Sequence, residues 1–216
     1  METRVKQGES LTRSAFLLAF DLRKEKLTQR GRLGYLLRAA ALAELLLAGN
    51  LSDESGKARA RTAPAAAPGS LPAVIWAQIS DSPPHSWKRW VRKDHGKAVR
   101  VVCDELAAAR LVRVERRRIL LFPVERITPR KAYLSRRLAE RVVRAYRDGR
   151  PVGHLEQDVR VLAALAAAAG LKTVIPSWLE MRQRQDRIKQ LSEPVEPITT
   201  ALRKSIEAAD AASAAG

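Results

Sequence analysis

One stretch, Leu33–Asn50, constrains the fold more than any other part of the chain. Its apolar residues point in nearly every direction around a helix, which predicts a central helix surrounded by other elements. Arg38 and Glu44 interrupt this pattern, and a charge on a buried helix is unfavourable unless it is paired or reaches water. Gly49 with Asn50 suits a left-handed helix end. The helical pattern alone therefore gives no reason for an arginine at position 38 of an otherwise apolar helix.

The rest of the chain predicts a mainly α fold. Hydrophobic residues make up 46% of the 216 and aromatic residues only 5%, so the core must consist of leucine, alanine and valine in runs that favour helix. We expect a single globular helical domain at 10–209 around the central helix, with flexible tails at 1–9 and 210–216. The other expected helices are Leu11–Leu22, Leu71–Ile79, Trp87–Lys93, Lys97–Ala109, Arg130–Arg147, His154–Ala169, Trp178–Leu191 and Thr199–Ala209.

One β-hairpin is expected among these helices. Residues 111–114 and 119–122 are β-prone and would form its arms, with Glu115–Arg118 as a charged tip. Thr128 followed by Pro129 is typical of the start of a helix, since threonine can cap it and proline suits its first position.

The net charge of +17 comes from 40 Lys+Arg against 23 Asp+Glu. A surplus of this size indicates an anionic partner: nucleic acid, an acidic membrane or an acidic protein. Part of it lies between Lys88 and Arg118, where eleven basic residues stand against four acidic ones. The plainer alternative is a solvated basic surface, whose long side chains also cover apolar groups with their stems.

Catalytic and metal-binding signatures are missing from the sequence. His85, His95 and His154 are far apart, and no phosphate-binding glycine loop, nucleophile elbow or CxxC motif is present. Cys103 stands alone, which predicts a core residue and a reducing compartment. No secretory signal and no uncharged apolar run of bilayer length is visible. We therefore expect no enzyme, no cofactor and no metal site, and only peripheral contact with a membrane.

Three kinds of binding remain open on these grounds. One is attachment to acidic lipid headgroups. Another is an adaptor that binds an acidic protein. The last is a winged-helix-like nucleic-acid-binding protein, since the helix Lys97–Ala109 is followed directly by a hairpin with a basic tip. Val101, Ala107 and Ala108 leave that helix poor in side chains that read bases.

The stretch Leu37–Leu51, LRAAALAELLLAGNL, resembles the signature helix of the Golgi phosphoprotein 3 family. Other stretches resemble the family's first helix, its helix–hairpin segment and its later helices in the same order: SAFLLAFDLRKEKL, KAVRVVCDELAAARLVRVERRRILLFP, ITPRKAYLSRRLAERVV and HLEQDVRVLAALAAAAGLKTVI. The resemblance covers about residues 10–191, and the chain looks like a shorter, bacterial-type member.

The resemblance implies a mostly helical domain that binds phosphatidylinositol 4-phosphate at a membrane. In the family, an aromatic residue and three arginines hold the headgroup, and these positions fall on Gln29, Arg38, Lys97 and Arg100. The glutamine replaces the aromatic residue, and a lysine lacks the planar, two-pronged grip of an arginine on phosphate. Both departures alter the expected contact with that lipid.

The resemblance also implies partners and a location. Eukaryotic members retain glycosyltransferases in the Golgi, so a protein partner such as an enzyme cargo is expected. The family's hairpin mediates oligomerisation and reaches the membrane, a contact that here falls on Arg116, Arg117 and Arg118 at the expected tip. The chain is then a cytoplasmic protein, peripheral on the inner face of a membrane.

These implications give Arg38 a hypothetical role. It would supply a fixed cation, joined by Lys97 and Arg100, to an anion site, because phosphate forms charge-assisted hydrogen bonds with such groups. The competing structural interpretation pairs Arg38 with a carboxylate such as Asp21 inside the fold. Arg100 can also pair with Asp104, one helical turn further on.

Overall fold

The computed structural model describes residues 10–22, 24, 26–119, 122–147, 149, 151–175 and 177–214, with the side chains of 116–119, 122–125 and 178–180 left aside. The fold is mainly α, as expected. Its helices are α1 Leu11–Leu18, α2 Arg30–Leu47, α3 Leu71–Ser80, α4 Trp87–Arg92, α5 His95–Ala108, α6 Ala132–Arg147, α7 Gln157–Ala168, α8 Trp178–Gln183, α9 Gln185–Ser192 and α10 Glu196–Ala214, with short 3-10 turns at Val152–His154 and Glu193–Val195.

The prediction of a wrapped central helix is confirmed by α2. Twelve of its eighteen residues are buried, and it packs against α1, α3, α4, α5, α7 and α10. Burying apolar surface on every side of one helix makes α2 the element on which the others are assembled.

Gly34 lets α2 and α5 approach each other closely. A Cβ at this position would lie 2.1 Å from the carbonyl oxygen of His95, the first residue of α5. The next residue, Tyr35, stacks on the His95 ring with a centroid distance of 3.9 Å and an interplanar angle of 11°. These two contacts set the position of the N-terminus of α5 on α2.

The negative charge on α2 is satisfied by the start of α1. Ser10 donates a hydrogen bond to Glu44 Oε2 at 3.1 Å, and Thr12 donates to the same oxygen at 3.5 Å. A partly buried carboxylate that accepts from two hydroxyls loses less on leaving water than an unpaired one. Glu44 therefore joins α1 to α2.

The strands form three small antiparallel sheets. The first pairs β1 Phe20–Asp21 with β2 Lys26–Leu27. The second has the order β3–β4–β5 and consists of β3 Leu51–Glu54, β4 Lys57–Ala60 and β5 His85–Ser86. The third is the hairpin of β6 Val112–Ile119 and β7 Phe122–Pro129.

The hairpin exists, but the expected position of its tip is wrong. Its strands pair from Val112 opposite Pro129 to Ile119 opposite Phe122. Arg116, Arg117 and Arg118 therefore lie within β6, and residues 120–121 between the two strands are outside the described part of the structure. Consecutive strand residues point to opposite faces, and a two-stranded ribbon can leave both faces in water, so a run of charges does not end a strand there.

Because β7 extends further than expected, the next helix also starts later than expected. Thr128 and Pro129 belong to the end of β7, and α6 begins only at Ala132. Proline is tolerated there because a strand of a two-stranded ribbon is an edge strand, where a missing N–H group need not break a ladder bond.

The C-terminal region also departs from the expected boundaries. The expected helix 178–191 is divided into α8 and α9 at Arg184. The last helix, α10, extends to Ala214 rather than ending at Ala209, so the expected tail from 210 is helical as far as that residue. Asp210 in this extension contacts Arg32 of α2, with 2.6 Å between the carboxylate and the guanidinium.

Candidate functional site

Arg38 lies inside the fold, with only 1% of its surface exposed. Its Nε donates to the backbone oxygen of Trp90 at 2.6 Å, and its Nη2 donates to Oε1 of Gln78 at 3.1 Å. The guanidinium thereby joins α2 to α3 and α4. A carbonyl and an amide are neutral, so these bonds satisfy the donors without removing the positive charge.

Burial lowers the pKa of Arg38 to about 10, while the negative charge of Asp94 opposes the shift. The side chain is still protonated near neutral pH. The alternative partner, Asp21, lies in β1 and accepts a hydrogen bond from the backbone N–H of Lys24. The carboxylate that acts on Arg38 is therefore that of Asp94.

Asp94 connects this buried cation to the surface. Its Oδ2 accepts a hydrogen bond from Nε2 of Gln78 at 3.3 Å, and its Oδ1 lies 3.0 Å from Nζ of Lys97. The hydrogen bond from Lys97 holds the pKa of the Asp94 carboxyl below its usual range, and the charge of Arg38 acts in the same direction. Arg38, Gln78, Asp94 and Lys97 thus form a continuous polar chain from the core to solvent.

Asp94 also occupies a special backbone position at the start of α5. Its φ of 49° lies in the left-handed region, and its side chain makes no capping hydrogen bond to the helix. The first turn of α5 contains no acidic residue. The N-terminus of a fourteen-residue helix carries a partial positive charge, which favours a nearby anion.

The two outer cations of the expected site are exposed. The side chain of Lys97 is 82% exposed and that of Arg100 is 80% exposed. Arg100 Nε lies 3.9 Å from Asp104 Oδ2, which confirms the pair expected one turn along the helix. Exposed ion pairs of this kind contribute little to stability, so both cations can exchange their carboxylates for another anion.

The family model described as Golgi phosphoprotein 3 (GPP34) matches residues 11–209. The chain belongs to the Golgi phosphoprotein 3 family. No curated protein matches the chain. Within the described ranges, no helix combines the length and the apolar character that crossing a bilayer requires.

In this Golgi phosphoprotein 3 family member, Gln29 is engaged away from the other expected site residues. Its Nε2 donates to the backbone oxygen of Gly170 at 3.0 Å, and its Oε1 accepts from the backbone N–H of Lys172 at 3.0 Å. Gln29 thereby fastens the N-terminus of α2 to the turn after α7. Nine residues of helix separate it from Arg38, about 13 Å along the axis. The structure brings together Arg38 and Lys97 through Asp94, with Arg100 one turn further along α5, but it does not bring Gln29 to them.

The structure describes only the backbone of the three hairpin arginines to which the resemblance assigns membrane contact. Arg116, Arg117 and Arg118 lie opposite Glu125, Val124 and Pro123 in the ladder. Their side chains are outside the described part of the structure, so their contact with a membrane or with a second copy stays a prediction.

Two polar residues of this site are missing from the sequence-based expectation. Gln78 accepts a hydrogen bond from Arg38 and donates one to Asp94, and Asp94 forms an ion pair with Lys97. Asp94 has a weak signal, because it stands three residues before Lys97, a spacing that lets the two side chains meet. Gln78 has none, since it is separated from Arg38 by 40 positions and no motif marks it.

Proposed function

We propose that this family member attaches peripherally to acidic membranes by binding an anionic lipid headgroup, phosphatidylinositol 4-phosphate or a related phosphoinositide. The observation that supports it is the arrangement of cations at the start of α5. Lys97 and Arg100 are exposed one turn apart, and the polar chain through Asp94 and Gln78 leads from Lys97 to the buried Arg38. We call Arg38, Lys97 and Arg100 with this chain the anion site.

The three cations have different parts in the proposal. Lys97 and Arg100 reach the headgroup phosphate, because their side chains extend into solvent. A phosphate with more than one negative charge competes with the single charge of Asp94 for Lys97 and forms charge-assisted hydrogen bonds. Arg38 stays buried, adds positive potential beneath the site and holds Gln78, which in turn orients Asp94. Gln29 makes no headgroup contact in this scheme.

The overall charge supports the same function. A surplus of +17 draws the chain to an acidic bilayer, where each basic residue near the surface contributes about 1 kcal/mol. The proposal is that of a non-enzymatic protein without a cofactor, located on the cytoplasmic side of a membrane. A protein partner such as an enzyme cargo, and self-association through β6 and β7, belong to the proposal as well.

Nucleic-acid binding is the less supported alternative. On α5, Ala108 is exposed while Val101 and Ala107 are half-buried, and none of these side chains offers a hydrogen bond to a base edge. On β6, Arg113 is paired with Glu115 at 3.1 Å. A continuous row of unpaired cations along the helix and the hairpin would be expected of a surface that binds phosphates in sequence.

Vesicle flotation tests the proposal. Neutral vesicles are compared with vesicles that contain phosphatidylinositol 4-phosphate and with vesicles of the same total charge that contain phosphatidylserine. The wild-type chain is expected to float with both acidic vesicles, and the Lys97→Gln/Arg100→Gln variant to lose most of this binding.

The matched control is Arg203→Gln/Lys204→Gln, which removes two exposed cations from α10. If it loses as much binding as the Lys97 and Arg100 variant, overall charge explains the attachment and the anion site does not. If the wild type does not float with any of the three kinds of vesicle, the proposed function is wrong.

A further inference from the structure

A second cationic surface lies on α6 and shares no residue with the anion site. The helix contains five arginines, one glutamate and no lysine. Its apolar side packs against α1 and α7. The opposite side presents a set of residues at helical spacing, which we call the arginine face: Tyr133, Arg136, Arg137, Glu140, Arg144 and Arg147.

Tyr133 is an unusual member of the arginine face. It is 59% exposed, and no other large hydrophobic side chain among the described residues is classed as exposed. Tyrosine and arginine are enriched at the energetic centres of protein–protein interfaces, while lysine is depleted there. A helix face that carries arginine and tyrosine but no lysine therefore resembles a protein-binding surface more than a general basic coat.

A groove of about 440 Å³ runs beside the arginine face, between α1 and α6. We call it the leucine groove. Among the described residues, its lining combines an apolar floor with cations and hydroxyls and includes no carboxylate: Leu17, Leu111, Leu134, Leu138, Arg13, Arg137, Arg141, Ser10 and Ser14. Leu111 and Leu134 are only half-buried, so the floor is still open to a ligand.

The cations of the leucine groove are unequally engaged. Arg141 is paired with Glu156 at 2.5 Å, and Arg13 only approaches Glu105 at 4.0 Å. Within the described part of the chain, Arg137 has no carboxylate at ion-pair distance, and it belongs to both the groove and the arginine face. It is therefore the cation best placed to receive a carboxylate from outside.

From this combination we propose that the leucine groove and the arginine face together bind an acidic amphipathic helix of a partner protein. The partner's apolar side chains enter the groove between Leu134 and Leu17, and its carboxylates pair with Arg137 and Arg144. This is the recognition of an amphipathic helix by an apolar groove, with charge setting the specificity. A flat bilayer surface does not fit into a concave groove, and the phosphates of nucleic acid gain nothing from contact with leucine side chains.

Fluorescence anisotropy with synthetic peptides tests this proposal on the full chain. The first probe is a labelled helical peptide with leucines at i, i+3 and i+7 and glutamates at most other positions. The second has serine in place of each leucine and the same charge. The third is a single-stranded oligonucleotide of similar charge. The wild type is expected to bind the leucine peptide at least about tenfold more tightly than the serine peptide.

Leu134→Ser should abolish most of the preference for the leucine peptide over the serine peptide, and Arg137→Gln should weaken binding of the leucine peptide, because a carboxylate of the peptide loses its partner. Arg203→Gln is the control, since it removes one exposed arginine from α10, which packs against α2, α4 and α7. Circular dichroism melting checks that every variant is folded; should Leu134→Ser unfold, Arg137→Gln decides, because that side chain is exposed.

Four results would each overturn the proposal. The first is no binding of the leucine peptide by the wild type. The second is equal affinity for the leucine and serine peptides, because the groove would then contribute nothing. The third is equal loss of binding in Arg137→Gln and Arg203→Gln, which would indicate attraction by overall charge. Tighter binding of the oligonucleotide than of the leucine peptide would likewise replace this partner by a nucleic acid.

Discussion

Arginine is used in opposite ways in two regions of this molecule. At α2, Arg38 is buried, and neutral groups of α3 and α4 accept its hydrogen bonds. On α6, Arg136, Arg137 and Arg144 are exposed, and no carboxylate of the described residues is at ion-pair distance from them. The comparison shows that a count of cations says little about function, since position decides whether a guanidinium stabilises the fold or remains available to a partner.

Changes in the region around Arg38 should alter the free energy of unfolding, because buried donors and close backbone contacts are lost there. Changes on the arginine face of α6 should leave stability nearly unchanged and alter only binding. Two stability measurements test this division, and two measurements at Asp94 test how its carboxylate acts on Lys97.

The largest effect is expected from Gly34→Ala. The new Cβ would lie 2.1 Å from the His95 carbonyl oxygen, so α5 must move away from α2. We expect a loss of about 3 kcal/mol in the free energy of unfolding, measured by urea denaturation. Gly31→Ala is the control in the same helix, since its Cβ would meet nothing within 4 Å. Equal stability of the two variants would show that the approach of α5 to α2 is not tight.

Arg38→Met should have the next largest effect. The backbone oxygen of Trp90 and Oε1 of Gln78 would lose their donor, which costs about 1–3 kcal/mol of stability, while removal of a buried charge offsets part of this loss. Arg137→Met provides the contrast, with a change within about 0.5 kcal/mol because the side chain is exposed. Similar losses in the two variants would remove the distinction between the two uses of arginine.

The sequence predicts the apolar surroundings of α2, because they follow from helical periodicity, and the pair of Arg100 with Asp104, because the two stand one helical turn apart. It predicts the existence of the hairpin but not its tip, since charged residues in a ribbon neither require nor forbid a strand. The partners of Arg38 could not be predicted. The contacts of Gln78 and Asp94 join separate elements, and those of Gln29 with Gly170 span 141 positions, so no local pattern records them.

Asp94→Asn should strengthen membrane binding, where most substitutions near the site should weaken it. The carboxylate occupies Lys97 and opposes an incoming phosphate, whereas asparagine can still accept from Gln78 and tolerates the left-handed backbone. Removal of one charge at the surface corresponds to about fivefold tighter binding to acidic vesicles in a flotation titration.

Glu207→Gln makes the same change in net charge on α10 and is the control for Asp94→Asn. Equal gains in both variants would mean that Asp94 competes with the headgroup only through the overall charge of the chain. A loss of binding in Asp94→Asn alone would mean that the carboxylate orients Lys97 for the headgroup rather than competing for it.

The smallest expected effect is a pH dependence of stability that originates at Asp94. Its pKa is lowered in the folded chain, first by the hydrogen bond from Lys97, so the ionised form stabilises the fold. The contribution is complete above the unfolded pKa of about 3.9 and is lost as the pH falls through the lower folded value. Wild type and Asp94→Asn should therefore differ in urea midpoint by a constant amount near neutral pH and converge in strong acid. Because asparagine cannot be protonated in this range, a difference that persists at the lowest pH at which both chains remain folded would assign the stabilisation to backbone geometry at this position instead of to the Lys97 contact.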